Sequence, residues 1–387
     1  MFIKQHLFDY QCYLNLLLAI VLTFIDSRNL FLLVSVIFVL GLNIFLNKTE
    51  SFYECTVSVI SLLSPILFMQ ILVNCVNFLN QQKVLSQTFL ASVYLILLLM
   101  LYLLTVLKFF PSLKTPIFQL ISIQGLLLPA ILIKSIDLYG STTLLLTLVQ
   151  SKFFLALALL IVVPMILESW DLSNLNFKMS TRLLILIAMM LLLIWFAFFN
   201  SLANFGQNFS EILWEWKNNL TLYNFTLDRV NWAVEAALFE EIIRVLDIIV
   251  LLKLFSKQKF RIILTIFASA ILFALPHSLY LRTGSPINYV VGEVIFTFIG
   301  GLMYACLYLY SGKIYLLMVV HFLVDFIVLA EPQLTAFNVG PLLTESTLGL
   351  VVRCLVELVP VLLLTIFTDH DKLEKNLNQL VNVDHVK

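Results

Sequence analysis

Charge is what this sequence has least of. Lys, Arg, Asp and Glu make up 12% of its 387 residues, against about 25% in an ordinary soluble chain. That shortage excludes water-soluble enzymes, nucleic-acid binders and disordered scaffolds, all of which need more polar surface. The 23 basic and 23 acidic residues cancel, so no net field draws in nucleic acid or an acidic partner. Glycine is scarce as well, at 11 residues, which disfavours a fold built on tight turns. The five cysteines (Cys12, Cys55, Cys75, Cys306 and Cys354) form no CxxC and no metal-ligand spacing, and they read as small apolar residues. No small-residue cleavage site follows Lys4, so the first apolar stretch is expected to stay as a helix. Internal repeats and soluble domains are not visible either.

What is present is apolar. Hydrophobic residues reach 61%, Phe alone numbers 33, and mean hydropathy is +1.02. A transmembrane β-barrel would alternate apolar and polar residues over about ten positions. Here the apolar runs are continuous over about twenty, the length a helix needs to cross a ~30 Å hydrocarbon core. Twelve segments qualify: 12–25, 30–46, 55–79, 88–110, 117–137, 142–167, 182–205, 230–254, 260–281, 287–311, 313–330 and 346–367. The expected fold is therefore all-α, a polytopic transmembrane helical bundle of about 12 spans. Its densest basic cluster is Lys253, Lys257, Lys259 and Arg261. With that loop in the cytoplasm, fourteen Lys and Arg fall inside and five outside, the five being Arg28, Lys83, Lys217, Arg229 and Arg282. The bias predicts both termini to be cytoplasmic. The chain divides into an N-terminal block over 1–170 with no functional signature, a second block over 182–367, and a polar cytoplasmic tail over 368–387.

Ionisable residues inside membrane spans are costly, and each is a functional candidate by default. The eighth segment contains Phe239-Glu240-Glu241-Ile242-Ile243-Arg244. Arg244 lies i+4 from Glu240 and i+3 from Glu241, so it can pair with either. Burial penalises the charged carboxylate while the arginine favours it, which makes the pair a candidate general base. The ninth segment carries Phe273-Ala274-Leu275-Pro276-His277, and Pro276 is expected to loosen the helix beside His277. The eleventh carries His321 and Asp325, whose i,i+4 spacing puts them on one face. Of five histidines, His6, His370 and His385 lie in polar termini, so both membrane histidines share the acidic pair's group of segments. Arg353 and Glu357, also i,i+4, read as a structural pair. Glu293 reads equally well as polar glue between helices.

Three motifs in order, Glu-Glu with a nearby Arg, Phe-x-x-x-His and His-x-x-x-Asn/Asp, resemble the CPBP intramembrane proteases. That group holds the type II CAAX prenyl endopeptidases and the bacteriocin-processing and self-immunity proteins of the Abi family. The resemblance rests on Glu240, Glu241, Arg244, Phe273, His277, His321 and Asp325 and covers roughly 182–367. It implies hydrolysis of a peptide bond within or beside the bilayer. It also implies that Glu240 and His277 activate water, that Glu241 and Arg244 support or orient, and that His321 and Asp325 bind a metal or stabilise the oxyanion. The substrate class is a membrane-associated peptide or protein, the surroundings are membrane lipid, and nucleic acid has no part. The family spaces its arginine as Glu-Glu-x-x-x-Arg, whereas only two residues intervene here. At about 100° per residue, Arg244 stands about 40° from Glu240 and is expected to face that glutamate more than Glu241. Two His and a carboxylate (His277, His321 and Asp325) are a recognised zinc set, while ionised Asp cannot donate to an oxyanion. Zn²⁺ and metal-free chemistry both stay open.

A bacterial plasma-membrane protease acting in peptide maturation or self-immunity is the expected setting, given the richness in Leu, Ile, Phe, Asn and Lys. A catalytically silent immunity or scaffold member of the family is one alternative, and the shortened arginine spacing speaks for it. A transporter is another, but paired Gly- or Pro-broken helices are lacking.

Overall fold

The computed structural model describes residues 2–46, 52–83, 85–133, 136, 138, 148–149, 153–172, 174–202, 225–330 and 358–381. Regular structure among them is helical throughout. Two compact units are present, Met1–Ser173 and Asn174–Lys387. The expected Arg353–Glu357 pair and Cys354 lie outside the described residues.

The first unit contains α1 (Phe2–Ile25), α2 (Leu30–Leu46), α3 (Tyr53–Gln81), α4 (Gln87–Phe109), α5 (Pro116–Leu132) and α6 (Phe153–Ser169). Helix α1 starts well before residue 12, where the apolar run itself begins. The reason is tertiary. Asp9, which interrupts the run, accepts from Lys108 Nζ of α4 at 2.6 Å and from Asn43 Nδ2 of α2 at 2.8 Å. Phe8 is fully buried beside it, edge-on to Phe109 at 4.6 Å, with Lys108 5.0 Å from its ring centroid. Pairing and a cation–π contact thus offset the cost of burying these charges. Helix α3 is the unit's centre and packs on α1, α2, α4 and α5. Its contact with α5 is close enough to need glycine: a Cβ on Gly125 would lie 2.7 Å from the Leu62 Cα.

The second unit contains α7 (Leu183–Leu202), α8 (Leu227–Leu254), α9 (Arg261–Ala274), a 3-10 segment (Leu275–Thr283), α10 (Ile287–Ser311), α11 (Ile314–Ala330), α12 (Leu358–Phe367) and α13 (His370–Leu380). Helix α8 packs against α9, α10 and α11, and every residue from Glu241 to Leu252 is buried. Gly301 of α10 lets α9 approach, since its Cβ would come 3.0 Å from the Ala270 Cα. Gly312 ends α10 at φ +67°, a conformation that suits glycine. Its carbonyl accepts from Phe177 N at 2.9 Å, which ties the chain before α7 to the turn leading into α11. The tail is not simply solvated: α13 buries Leu373, Leu377 and Leu380, and Asn376 Nδ2 donates to the Lys178 carbonyl at 2.8 Å.

Six helices among the described residues are long and apolar enough to cross a membrane: His6–Ile25, Ser27–Leu46, Tyr53–Gln81, Gln87–Ser112, Arg261–Arg282 and Ile287–Ser311. Helices α5, α6 and α11, the Leu183–Leu192 part of α7, and α12 are apolar but shorter. Helix α8 is not among them, because Glu235, Glu240, Glu241, Arg244 and Asp247 fall within it. These charges are tolerated because the helix is enclosed by protein rather than by lipid.

Replacing Gly125 with Ala is expected to force α3 and α5 apart at a cost of about 1–3 kcal/mol, the usual range for overpacking. The unfolding midpoint of the detergent-purified protein checks this. A Gly41→Ala control, where nothing lies within 4 Å of the added Cβ, is expected not to lower it and to raise it slightly, since Ala suits a helix interior better than Gly.

Candidate active site

Helix α8 presents its two adjacent glutamates to different surroundings. Glu241 points inward, and its side chain is 0% exposed, as is that of Arg244. Arg244 Nη1 donates to Glu241 Oε1, and His321 Nδ1 of α11 stands 2.5 Å from that same oxygen. A carboxylate only accepts, so Nδ1 is the donor. Glu240 points the other way, with 29% of its side chain exposed and its Oε2 3.8 Å from His321 Nε2. Asp325 Oδ2, one turn along α11, is 3.4 Å from the same Nε2, with its side chain 30% exposed. His321 is therefore held on one side by Glu241 and faces Glu240 and Asp325 on the other.

The expectation that Arg244 would face Glu240 is corrected here, since its partner is Glu241. On an ideal helix the two glutamates flank Arg244 at about 40° and 60°, so the spacing hardly separates them. Aromatic rings from other helices decide. The guanidinium carbon lies 3.8 Å from the centroid of Phe273 of α9 and 5.0 Å from that of Tyr304 of α10. A flat cation held over these two ring faces is fixed deep in the unit, where it donates to Glu241.

His277 joins the group through Phe273. Its ring is 5.4 Å from the Phe273 ring, whose centroid in turn lies 3.8 Å from the Arg244 guanidinium carbon. His277 Nδ1 is 3.1 Å from the Phe273 carbonyl. Since a carbonyl can only accept, Nδ1 carries the proton, which leaves Nε2 of the neutral ring as an acceptor. The winding changes at this point: α9 ends at Ala274, and Leu275–Thr283 continues as a 3-10 helix with Pro276 in its first turn. Pro276 removes one backbone donor and clashes with the preceding turn, which is the local cause.

His277, His321 and Asp325 are not gathered into a three-ligand site. Among the described residues no three His, Cys, Asp or Glu side chains are placed to hold a metal ion. His321 Nε2 lies 3.4 Å from Asp325 Oδ2 and 3.8 Å from Glu240 Oε2, and among the described residues no hydrogen bond or ion pair brings His277 to them. The zinc set does not fit the side chains as they stand, and no chemical step below is routed through a metal.

Tyr304 was not singled out in the sequence, yet it is central. Its ring stacks on His321 with centroids 5.1 Å apart and 28° between planes, and the same ring backs Arg244. One tyrosine in an apolar helix carries no signal of this kind, because the contact depends on how α10 crosses α8 and α11.

Residues 223–327 match the family model described as "Type II CAAX prenyl endopeptidase Rce1-like". The match agrees with the resemblance carried by the motifs and is confined to this stretch of the chain. The Rce1-like segment runs from just before α8 almost to the end of α11 and contains Glu240, Glu241, Arg244, His277, His321 and Asp325. The family is a protease family, which supports protease activity, and the apolar helices together with the match support an integral membrane protein. No curated protein and no solved structure matches the chain.

Truncating Arg244 to Ala leaves Glu241 as a buried charge without its cation, a loss expected to cost about 3–5 kcal/mol. Glu240→Gln, at the open edge, is expected to cost under about 1 kcal/mol. Urea unfolding of the two variants in detergent checks the contrast. Equal stability would mean that the two glutamates do not divide in this way.

Proposed function

We propose that the protein is a membrane endopeptidase of the CAAX type, cleaving a peptide bond near the C-terminus of a membrane-associated peptide or protein, with Glu240 as general base. The observation that carries this reading is the division between the glutamates. Glu241 is committed to Arg244 and His321, while Glu240 keeps an accessible carboxylate beside His321. A general base must accept a proton from water and so must be reachable by it, as Glu240 is and Glu241 is not.

In this reading Glu240 takes a proton from the attacking water and later delivers it to the departing amine. His277 Nε2, an acceptor, orients the same water. His321, steadied by Glu241, Asp325 and the Tyr304 ring, acts in its doubly protonated form, with Nδ1–H held by Glu241 and Nε2–H turned toward charge that develops on the carbonyl oxygen. Glu241, Arg244 and Tyr304 are positioning groups that touch no substrate. The shortened arginine spacing no longer argues for a silent immunity or scaffold member, because Arg244 does not tie up Glu240. Twelve spans, cytoplasmic termini and a bacterial plasma membrane, with a role in peptide maturation or self-immunity, complete the proposal. The basic-residue bias and the composition support these points.

The test uses a farnesylated CAAX reporter peptide, with its unprenylated counterpart beside it, and the full-length protein in detergent. Glu240→Gln is expected to lower the cleavage rate about 10²–10⁴-fold, the usual share of a general base, with the unfolding midpoint unchanged. A Glu240→Gln variant that cleaves as fast as the wild type would sink the assignment. Chelation with EDTA is expected to leave the wild-type rate within about 2-fold, and a loss restored by added Zn²⁺ would show that the donors regroup around a metal.

A further inference from the structure

We infer that the second unit carries a binding site for an anionic phospholipid, its phosphate held by Lys178, Arg182, Lys372 and Lys375 where the start of α7 and the end of α12 come together. The inference needs only the membrane setting and does not depend on the endopeptidase reading.

The argument begins with how the tail is fixed. Helix α13 follows α12 after Thr368 and Asp369, and it buries Leu373, Leu377 and Leu380. On one flank its Glu374 pairs with Arg261, at the start of α9. On the other, Asn376 Nδ2 donates to the Lys178 carbonyl at 2.8 Å and to the Ser180 hydroxyl at 3.0 Å. The hydroxyls of Thr181 and Thr368, both buried, are 2.7 Å apart. The start of α7, the end of α12 and the first turns of α13 are therefore tied side by side.

That tie gathers cations. Lys178, Arg182, Lys372 and Lys375 are all exposed. Lys372 lies one turn before Asn376 and Lys375 is next to it, so both belong to the flank that meets Lys178, whereas Glu374 stands about 160° from Asn376 on the helical wheel. None of the four pairs with a carboxylate among the described residues. Asp369 caps α13 by accepting from Lys372 N at 3.0 Å, and Glu374 is taken by Arg261. Asp371 is the one carboxylate left on α13 to balance them. Four cations held together by folded backbone make a local field that draws an anion.

The surface beside them decides which anion. Arg182 is followed at once by Leu183 and Leu184, 59% and 79% exposed, and Thr368 is preceded by Ile366 and Phe367, 70% and 53% exposed. Both pairs open apolar helices to the surroundings at the level where the charges begin. A free phosphate ester would meet the cations and leave these side chains unmatched. A phospholipid meets both, with its phosphate among the four cations and its acyl chains along the apolar side chains below. Lysine and arginine suit this boundary, because their stems lie on apolar surface while their heads reach the headgroup layer.

The experiment reconstitutes the full-length protein in phosphatidylcholine vesicles that carry a trace of phosphatidylglycerol or of phosphatidylcholine, each with a photoreactive group at the headgroup end of one acyl chain. Peptide mass mapping reads where each lipid attaches. Phosphatidylglycerol is expected to label 178–184 and 366–375 at least about 10-fold above phosphatidylcholine, since each basic residue near a membrane surface adds about 5-fold in affinity for anionic lipid. Lys372→Gln with Lys375→Gln is expected to lower that excess about 10–25-fold with the unfolding midpoint unchanged, and Lys372→Arg with Lys375→Arg to keep it. Should the glutamine pair misfold, Lys178→Gln with Arg182→Gln makes the same demand from the α7 side. Equal labelling by the two lipids in the wild type overturns the inference, and so does an excess that survives in a well-folded glutamine variant. Labelling that soluble glycerophosphoglycerol competes away assigns the cations to a water-borne phosphate ester and overturns the lipid.

Discussion

The buried pair between Glu241 and Arg244 is the constraint on which the rest of the site depends. Two charges without exposed surface, one turn apart on an enclosed helix, must satisfy each other or bring the helix down. The arginine meets the demand with one nitrogen and lies between Phe273 and Tyr304, which come from two other helices. The glutamate meets it with one oxygen shared by Arg244 and His321, which comes from a third. One ion pair therefore fixes α8, α9, α10 and α11 relative to one another, and the catalytic groups inherit their positions from it.

That constraint also explains why two glutamates stand side by side. Adjacent residues on a helix point about 100° apart, so one carboxylate can face the interior while the next faces the accessible side. The inner one organises and the outer one reacts. A single glutamate could not do both, because a carboxylate locked to a guanidinium and an imidazolium-capable ring is a poor acceptor for a proton from water. The neighbouring Asp325 shows the same economy. Its i,i+4 offset from His321 lets it face Nε2 from the exposed side while Glu241 holds Nδ1 from within.

Much of this was legible in the sequence. Continuous apolar runs gave the helical class, and Glu240, Glu241, Arg244, His321 and Asp325, all set in C-terminal apolar runs, are brought together by the fold. What could not be read was any choice left to tertiary contacts. The i+3 and i+4 options for Arg244 differ by about 20° on the helical wheel, and rings contributed 29 and 60 residues further on selected between them. Tyr304 looked like any apolar-helix tyrosine until α10 was laid across His321. The start of α1 was misjudged for a related reason, since Asp9 looks like an interruption until Lys108, 99 residues away, is placed beside it. The spacing of His277, His321 and Asp325 matched a zinc set in type, but spacing along three segments fixes neither which nitrogen faces the site nor what it faces.

Pro276 is the point where a local rule and the global arrangement meet. A proline within an apolar helix would ordinarily be a liability, because it removes a backbone donor where lipid offers no replacement. Here the break falls beside His277, at the end of α9, where the backbone adjoins the accessible side of the site and where 3-10 bonds take over from α-helical ones. The tighter winding keeps His277 next to Phe273, and hence next to Arg244, while stacking the following turn of side chains over it. The irregularity that weakens the helix thus falls at His277, whose ring and Nδ1 both meet Phe273, the ring that backs Arg244.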